Sequence, residues 1–260
     1  MSATSDQNAR VLDQFSQQAE AYAALTSKGG GQTVDPMIAA LELSGSERLL
    51  DVGCGAGQFA VSAARRVKEV VGVDLTPAML AKAQELQLES GCKNIEWRQA
   101  DSVSLPVADA TFDVVTSRAM FHHAADPKGT LAEMRRACAP GGRIAVLDLT
   151  PAPQKAVAFD CIEILRDPSH SHALTADELR GLGAELGLEE LLTQPQATSL
   201  PLEPVLVASF PPAGLLQRVR ELYARDAASG ADALGFSARI ENGEIWVTYP
   251  MTLMVWRRGE

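Results

Sequence analysis

The segment Leu49-Leu50-Asp51-Val52-Gly53-Cys54-Gly55-Ala56-Gly57-Gln58 constrains this chain more than any other. A short apolar run ends in three glycines separated by single residues, and a helical run follows. Glycine reaches positive φ without steric cost and lets a ligand lie against bare backbone. The segment therefore reads as a buried strand that bends tightly into a helix.

The rhythm downstream repeats that unit. Strands are expected at Arg48–Val52, Glu69–Val73, Ile95–Gln99, Phe112–Thr116 and Arg143–Asp148, and helices at Phe59–Val67, Pro77–Ser90 and Gly129–Cys138. Alternation of this kind predicts a parallel sheet with helices on both faces, joined by right-handed crossovers. Upstream, Arg10–Leu25 and Val34–Leu43 have helical apolar spacing and are separated by Gly29-Gly30-Gly31. The polar N-terminus, Ser2 to Glu20, also looks helical and carries no charged-then-apolar leader.

After Thr150 the pattern changes. Helices are expected at Lys155–Arg166 and Thr175–Leu186, the latter with a Thr175/Glu178 capping box. A strand at Leu188–Gln194 precedes a stretch punctuated by Pro195, Pro201, Pro204, Pro211 and Pro212. A helix near Leu215–Ala227 follows, and Glu244–Arg257 reads as a strand returning to the sheet edge. Residues 1–45 form a helical cap, 46–150 the ligand-binding core, and 151–260 the rest of the sheet with a lid insertion near 199–240.

Two details of the glycine turn choose among nucleotide ligands. A dinucleotide fingerprint wants a third glycine where this chain has Gln58. Asp51, two residues ahead of the turn, would repel a pyrophosphate but suits a cation, such as an amino-acid ammonium near a sulfonium. Charge thus favours S-adenosylmethionine (SAM) over NAD. Asp74 ends the second strand, 21 residues after Gly53. It can accept both ribose hydroxyls, or serve only as a helix N-cap ahead of Pro77. Asp101, after the third strand, is placed to take an adenine amine, with Leu75 and Met79 flanking the ring. A solvated loop acid is the bland alternative for Asp101, and plain core for Leu75 and Met79.

The motifs D-V-G-C-G-A-G, V-V-G-V-D, Q-A-D and A-P-G-G-R, in that order, resemble those of class I SAM-dependent methyltransferases. The likeness covers about Phe15 to Leu149 and is nearest to the ubiquinone/menaquinone-biosynthesis type and its small-molecule relatives. It implies an α/β, Rossmann-like, doubly wound sheet of seven mostly parallel strands with the last antiparallel. It also implies a cofactor lying across Asp51, Gly53, Gly55, Asp74, Leu75, Met79, Ala100, Asp101, Ser102 and Ser117. Phe15 and Tyr22, on the N-terminal helix, would close over it. Arg166-Asp167-Pro168-Ser169-His170 resembles an R-D-P-S-H element of one bacterial branch, which points away from a quinone acceptor.

Methyl transfer from a sulfonium needs an aligned nucleophile and, where the acceptor carries a proton, a base. The fourth strand runs into Ser117-Arg118-Ala119-Met120-Phe121-His122-His123, at the sheet end where ligands bind. His122 or His123 is a candidate base, and Arg118 a candidate for an anionic or polar group of the acceptor. One histidine of the pair is expected to be structural. Arg166, Asp167 and His170 either line the acceptor pocket or hold their loop. His170 and His172 lack the third ligand that catalytic zinc needs, so no metal is expected.

Composition narrows the partners. Lys plus Arg total 23 against 33 Asp plus Glu, a net charge of -10, which repels nucleic acid. The loop after the fourth strand also lacks the Asn/Asp-Pro-Pro-aromatic signature of nucleobase methylases. The four cysteines lack C-x-x-C pairing, as in a reducing, cytoplasmic setting. No apolar run is long enough for a bilayer. The expected partner is a small-molecule acceptor; a homodimer is left open. An NAD(P)-dependent oxidoreductase and a non-catalytic SAM-binding protein are the competing readings.

Overall fold

The computed structural model describes residues 3–29 and 31–260, so Met1, Ser2 and Gly30 lie outside the described residues. Two N-terminal helices, α1 (Ala3–Gly29) and α2 (Gly31–Ala40), precede the first strand, β1 (Arg48–Val52). The chain then alternates α3 (Gln58–Ala64), β2 (Glu69–Asp74), α4 (Pro77–Ser90), β3 (Ile95–Gln99), β4 (Phe112–Arg118), α5 (Pro127–Ala137) and β5 (Cys138–Leu149). Next come α6 (Ala156–Arg166), α7 (Ala176–Glu185), β6 (Leu188–Pro201), α8 (Leu202–Ser209), α9 (Leu216–Ser229), β7 (Arg239–Glu241) and β8 (Glu244–Arg258).

The sheet order is β3-β2-β1-β4-β5-β8-β6, with the three-residue β7 hairpinned onto β8. β1 to β5 pair in parallel, and β8 runs antiparallel between β5 and β6. The expected seven-strand path with its antiparallel last strand is the path observed, and β7 is an addition to it.

Alternate residues of each strand serve opposite faces. Leu49, Val114, Ala145 and Leu147 pack with α2, α3, α6, α8 and α9. Leu50, Val115, Ile144 and Val146 pack with α5 and α7. Both faces are therefore dry, as near-continuous apolar strands require.

One expectation is corrected. β6 does not stop at Gln194; it continues through Pro195 and Pro201, each still in register with β8. β6 is an edge strand, and there a proline need not donate to a further neighbour. The proline-punctuated stretch contains a further helix, α8, and Pro201 and Pro204 sit at that helix's start, where a missing N–H costs nothing. α1 joins the two helical readings, Ser2–Glu20 and Arg10–Leu25, into one helix and runs on to Gly29. Its Phe15, Ala19 and Tyr22 pack on Ala56 and Met79 across the mouth of the sheet.

Candidate functional site

A cleft opens where β1, β2, β3 and β4 end. It has two chambers, of about 900 Å³ and about 930 Å³ including their mouths, that share Phe15, Tyr22, Arg118, Ala119 and His123 as a partition.

The first chamber is built on the glycine turn. Gly53 sits at φ +68 and donates to Val73 O at 2.8 Å. A Cβ there would lie 2.4 Å from Met120 Cγ, so only glycine fits. Gly55, at φ +52, has no atom within 4 Å of where a Cβ would stand. Its bare backbone faces the chamber, and its N–H donates to Asp74 Oδ2 at 2.8 Å. Thr76 N–H donates to Asp74 Oδ1, also at 2.8 Å. Two backbone donors thus hold the carboxylate, and each oxygen keeps acceptor capacity. Burial nonetheless raises the Asp74 pKa.

Leu75, Met79, Ala100, Asp101 and Ser102 complete the first chamber's floor, and Phe15 and Tyr22 of α1 its roof. Asp101 accepts from Asn8 Nδ2 of α1 at 2.5 Å, a contact that no local sequence signal announces. Ser102 Oγ shares a 2.8 Å hydrogen bond with Thr130 Oγ1.

Asp51 and Ser117 lie just behind this lining. Asp51 is 1% exposed; Oδ1 accepts from Thr116 Oγ1 at 3.1 Å, while Oδ2 has no partner among the described residues. Burial pushes its pKa up to about 7. Ser117 Oγ is likewise buried without a partner among the described residues.

The second chamber lies between α1, α8 and the β6/β8 end of the sheet. Its apolar walls include Leu149, Leu200, Val205 and Met251; Arg118, His122, His123, Arg166 and Asp167 supply polar groups. His122 and His123 occupy a short 3-10 turn, Phe121–His123, and their rings stand 4.2 Å apart. Their environments differ sharply. His122 Nδ1 meets Asp148 Oδ1 at 2.6 Å. Burial opposes the charged form of His122, but the Asp148 carboxylate, with Glu163 and Asp167 beyond it, outweighs burial and the pKa is raised. Asp148 also accepts from the backbone N–H of Met120, Phe121 and Leu149 at 2.7–2.8 Å. Burial opposes its ionisation too, yet His122 and these donors hold its pKa below the usual carboxylate range.

His123 is the opposite case. Burial and the neighbouring His122 charge push its pKa down to about 3. Its Nδ1 lies 3.0 Å from Ser169 O, a group that can only accept, and 3.1 Å from Ser169 Oγ, whose own proton goes to Asp167 Oδ1. The neutral ring therefore carries its proton on Nδ1. Gln7 of α1 clamps the carbonyls of His123 and Ser169 at 3.0 and 2.6 Å.

Arg166, partly buried, pairs bidentately with the fully buried Glu163, at 2.6 and 2.8 Å, and with Ser209 Oγ. Asp167 Oδ1 accepts from Ser169 N and Oγ. Arg118 donates from Nη1 to Thr33 Oγ1 at 3.3 Å, and its buried Nε has no partner among the described residues. His170 lies outside both chambers. Its Nε2 and His172 Nδ1 both meet Asp160, at 2.7 and 2.6 Å, which fastens the loop. Among the described residues no group of His, Cys, Asp and Glu is placed to hold a metal ion, and no helix is long and apolar enough to cross a membrane.

In the sequence one signal at Asp148 is its place at a strand end. Its other signal is that of a lone acid inside the apolar run Ile144–Leu149, since an acid is rarely buried unless paired.

Comparison with known proteins agrees with this geometry. Residues 50–146 match a family model described as a methyltransferase domain. The chain is 32% identical over 171 residues to the methyltransferase YcgJ of Bacillus subtilis, covering 65% of this chain and 67% of that protein. It is 38% identical over 112 residues to a demethylmenaquinone methyltransferase of Thermus thermophilus, covering 42% of this chain but only 50% of that enzyme. The YcgJ crystal structure superposes with a TM-score of 0.79 at 24% identity, over 87% of this chain and 98% of that one. Turn, acid-tipped second strand, sheet order and sequence relatives agree, and the chain belongs to the class I SAM-dependent methyltransferase family.

Proposed function

We propose that this protein transfers a methyl group from SAM to a small-molecule acceptor, the donor occupying the first chamber and the acceptor the second. The observation that carries this is the Asp74 carboxylate, fixed by two backbone N–H groups beside the open backbone of Gly55. A ribose fits that pairing. Asp51 Oδ2, buried behind the turn with no partner among the described residues, favours a cationic ligand nearby. Asp101, Leu75 and Met79 are suited to an adenine.

Bound there, SAM supplies a methyl already activated on a sulfonium. What is left to the chain is to align the acceptor, exclude water and move a proton where one must leave. His122 is the better base of the pair: Asp148 fixes its ring with Nδ1 as donor and strengthens Nε2 as acceptor, the arrangement of an acid-oriented histidine in other enzymes. His123, kept neutral, acts as a positioning residue. α1 and α8 serve as the cover, in place of the whole 199–240 segment.

Calorimetry with S-adenosylhomocysteine (SAH) and with NAD(P) tests the cofactor reading. SAH is expected to bind and to stabilise by about 2.7 kcal/mol at a hundred times its Kd. Binding of NAD(P) alone would overturn the proposal.

A further inference from the structure

The second chamber holds a base built to a standard that only some acceptors need. Asp148 is wholly engaged with its immediate neighbours. Its Oδ2 fixes the backbone of Met120 and Phe121, and its Oδ1 takes Leu149 N–H and His122 Nδ1. His122 is thereby immobilised with its other nitrogen available to a chamber walled by Leu149, Leu200, Val205 and Met251. Arg118 faces the same chamber. A tertiary amine has no proton to lose, an arsenic(III) centre reacts through its lone pair, and a thiol, with a pKa of about 8.5, ionises without a strong base. A hydroxyl is different: its neutral oxygen is a poor nucleophile, and its anion is disfavoured in an apolar pocket unless a cation stands by.

We propose, building on the methyl-transfer reading, that the acceptor is a phenol or enol on an apolar body. The O–H proton passes to His122 Nε2 and the oxygen faces Arg118. The oxygen lone pair forms the new O–CH₃ bond as the S–CH₃ bond breaks. Its electron pair returns to sulfur, so the sulfonium becomes a neutral thioether. The products are a methyl ether, SAH and protonated His122, which afterwards gives its proton to water. Asp148 is a positioning residue in this scheme.

4-Nitrophenol serves as the probe, because its phenolate is coloured and its phenol is not. It is titrated into the protein about one pH unit below its own solution pKa, with and without SAH. In the wild type the phenolate fraction of bound probe is expected to exceed that in solution by about tenfold in ratio, a shift of about one unit. His122→Asn is expected to bind SAH normally and lose that colour. Asp148→Asn, with circular dichroism as a folding control, is expected to lose most of it, and 4-nitroanisole to bind without spectral change. Bound probe that stays colourless overturns the proposal, as does equal ionisation in His122→Asn. So does binding of 4-nitroaniline or 4-nitrothiophenol where no nitrophenol binds. Failure of SAH to bind counts against the donor reading alone, since the titration without SAH reports on the phenol separately.

Discussion

Asp74 and His123 show how far a side chain's role depends on what is bonded to it. Asp74→Ala removes the acceptor for Gly55 and Thr76 N–H and, on the proposed function, the ribose partner. Hydrogen bonds to a charged group contribute about 1.5–3 kcal/mol, so SAH affinity should fall by about a hundredfold or more in calorimetry. For His123 the sign follows from its pKa of about 3, below the ordinary 6.5. In that window the unfolded chain binds a proton that the folded chain refuses, so stability falls on acidification from about pH 6.5 downward. His123→Asn, which keeps a donor for Ser169, should flatten the fall in urea midpoint between about pH 6.5 and about pH 4.5. His122 has the opposite linkage. Its raised pKa contributes stability that is complete below 6.5 and is lost as pH rises through the folded value. On the proposed mechanism, turnover should rise with pH to a half-maximum above 6.5, and His122→Ala should lower kcat by about 10²–10⁴-fold with SAH affinity unchanged.

At the level of elements, local chemistry sets the boundaries wherever it is strong. α4 begins at Pro77 and ends at Gly91 in the left-handed region, the limits its sequence predicts. The capping box of α7 is complete: Thr175 N–H donates to Glu178 Oε2 at 2.7 Å, and Glu178 N–H to Thr175 Oγ1 at 3.3 Å. Thr175→Ala should cost about 1 kcal/mol in urea denaturation. Expected boundaries fail where partners decide. Nothing within Leu188–Pro201 says that β8 will accept all of it, and the prolines argue against a strand until its place at the edge is known. α8 is short, and its Val205 and Leu206 are buried in a core made with residues far along the chain.

For the molecule as a whole, the consequence is a cleft whose roof comes from the beginning of the chain and whose floor comes from the middle. α1 is tied across it by Gln7 to His123 and Ser169, by Asn8 to Asp101 and by Gln14 to Ser209. A ligand filling the first chamber would add apolar contact to Phe15 and Tyr22. Amide exchange in α1 should therefore slow on SAH binding, more than in α9, which packs away from the cleft. Equal slowing of the two helices would argue against α1 as a cover.

The linear chain by itself determined the layered α/β fold, the glycine turn, the acid that ends β2 and the neighbourhood of both histidines. These depend on periodicities and turn residues that act over a few positions. It could not separate His122 from His123. That difference arises because β5 brings Asp148 to one ring, 26 residues away, and the α6–α7 loop brings Ser169 to the other, 46 residues away. Charge, burial and tautomer are set by neighbours in space, and only the closed tertiary structure supplies them.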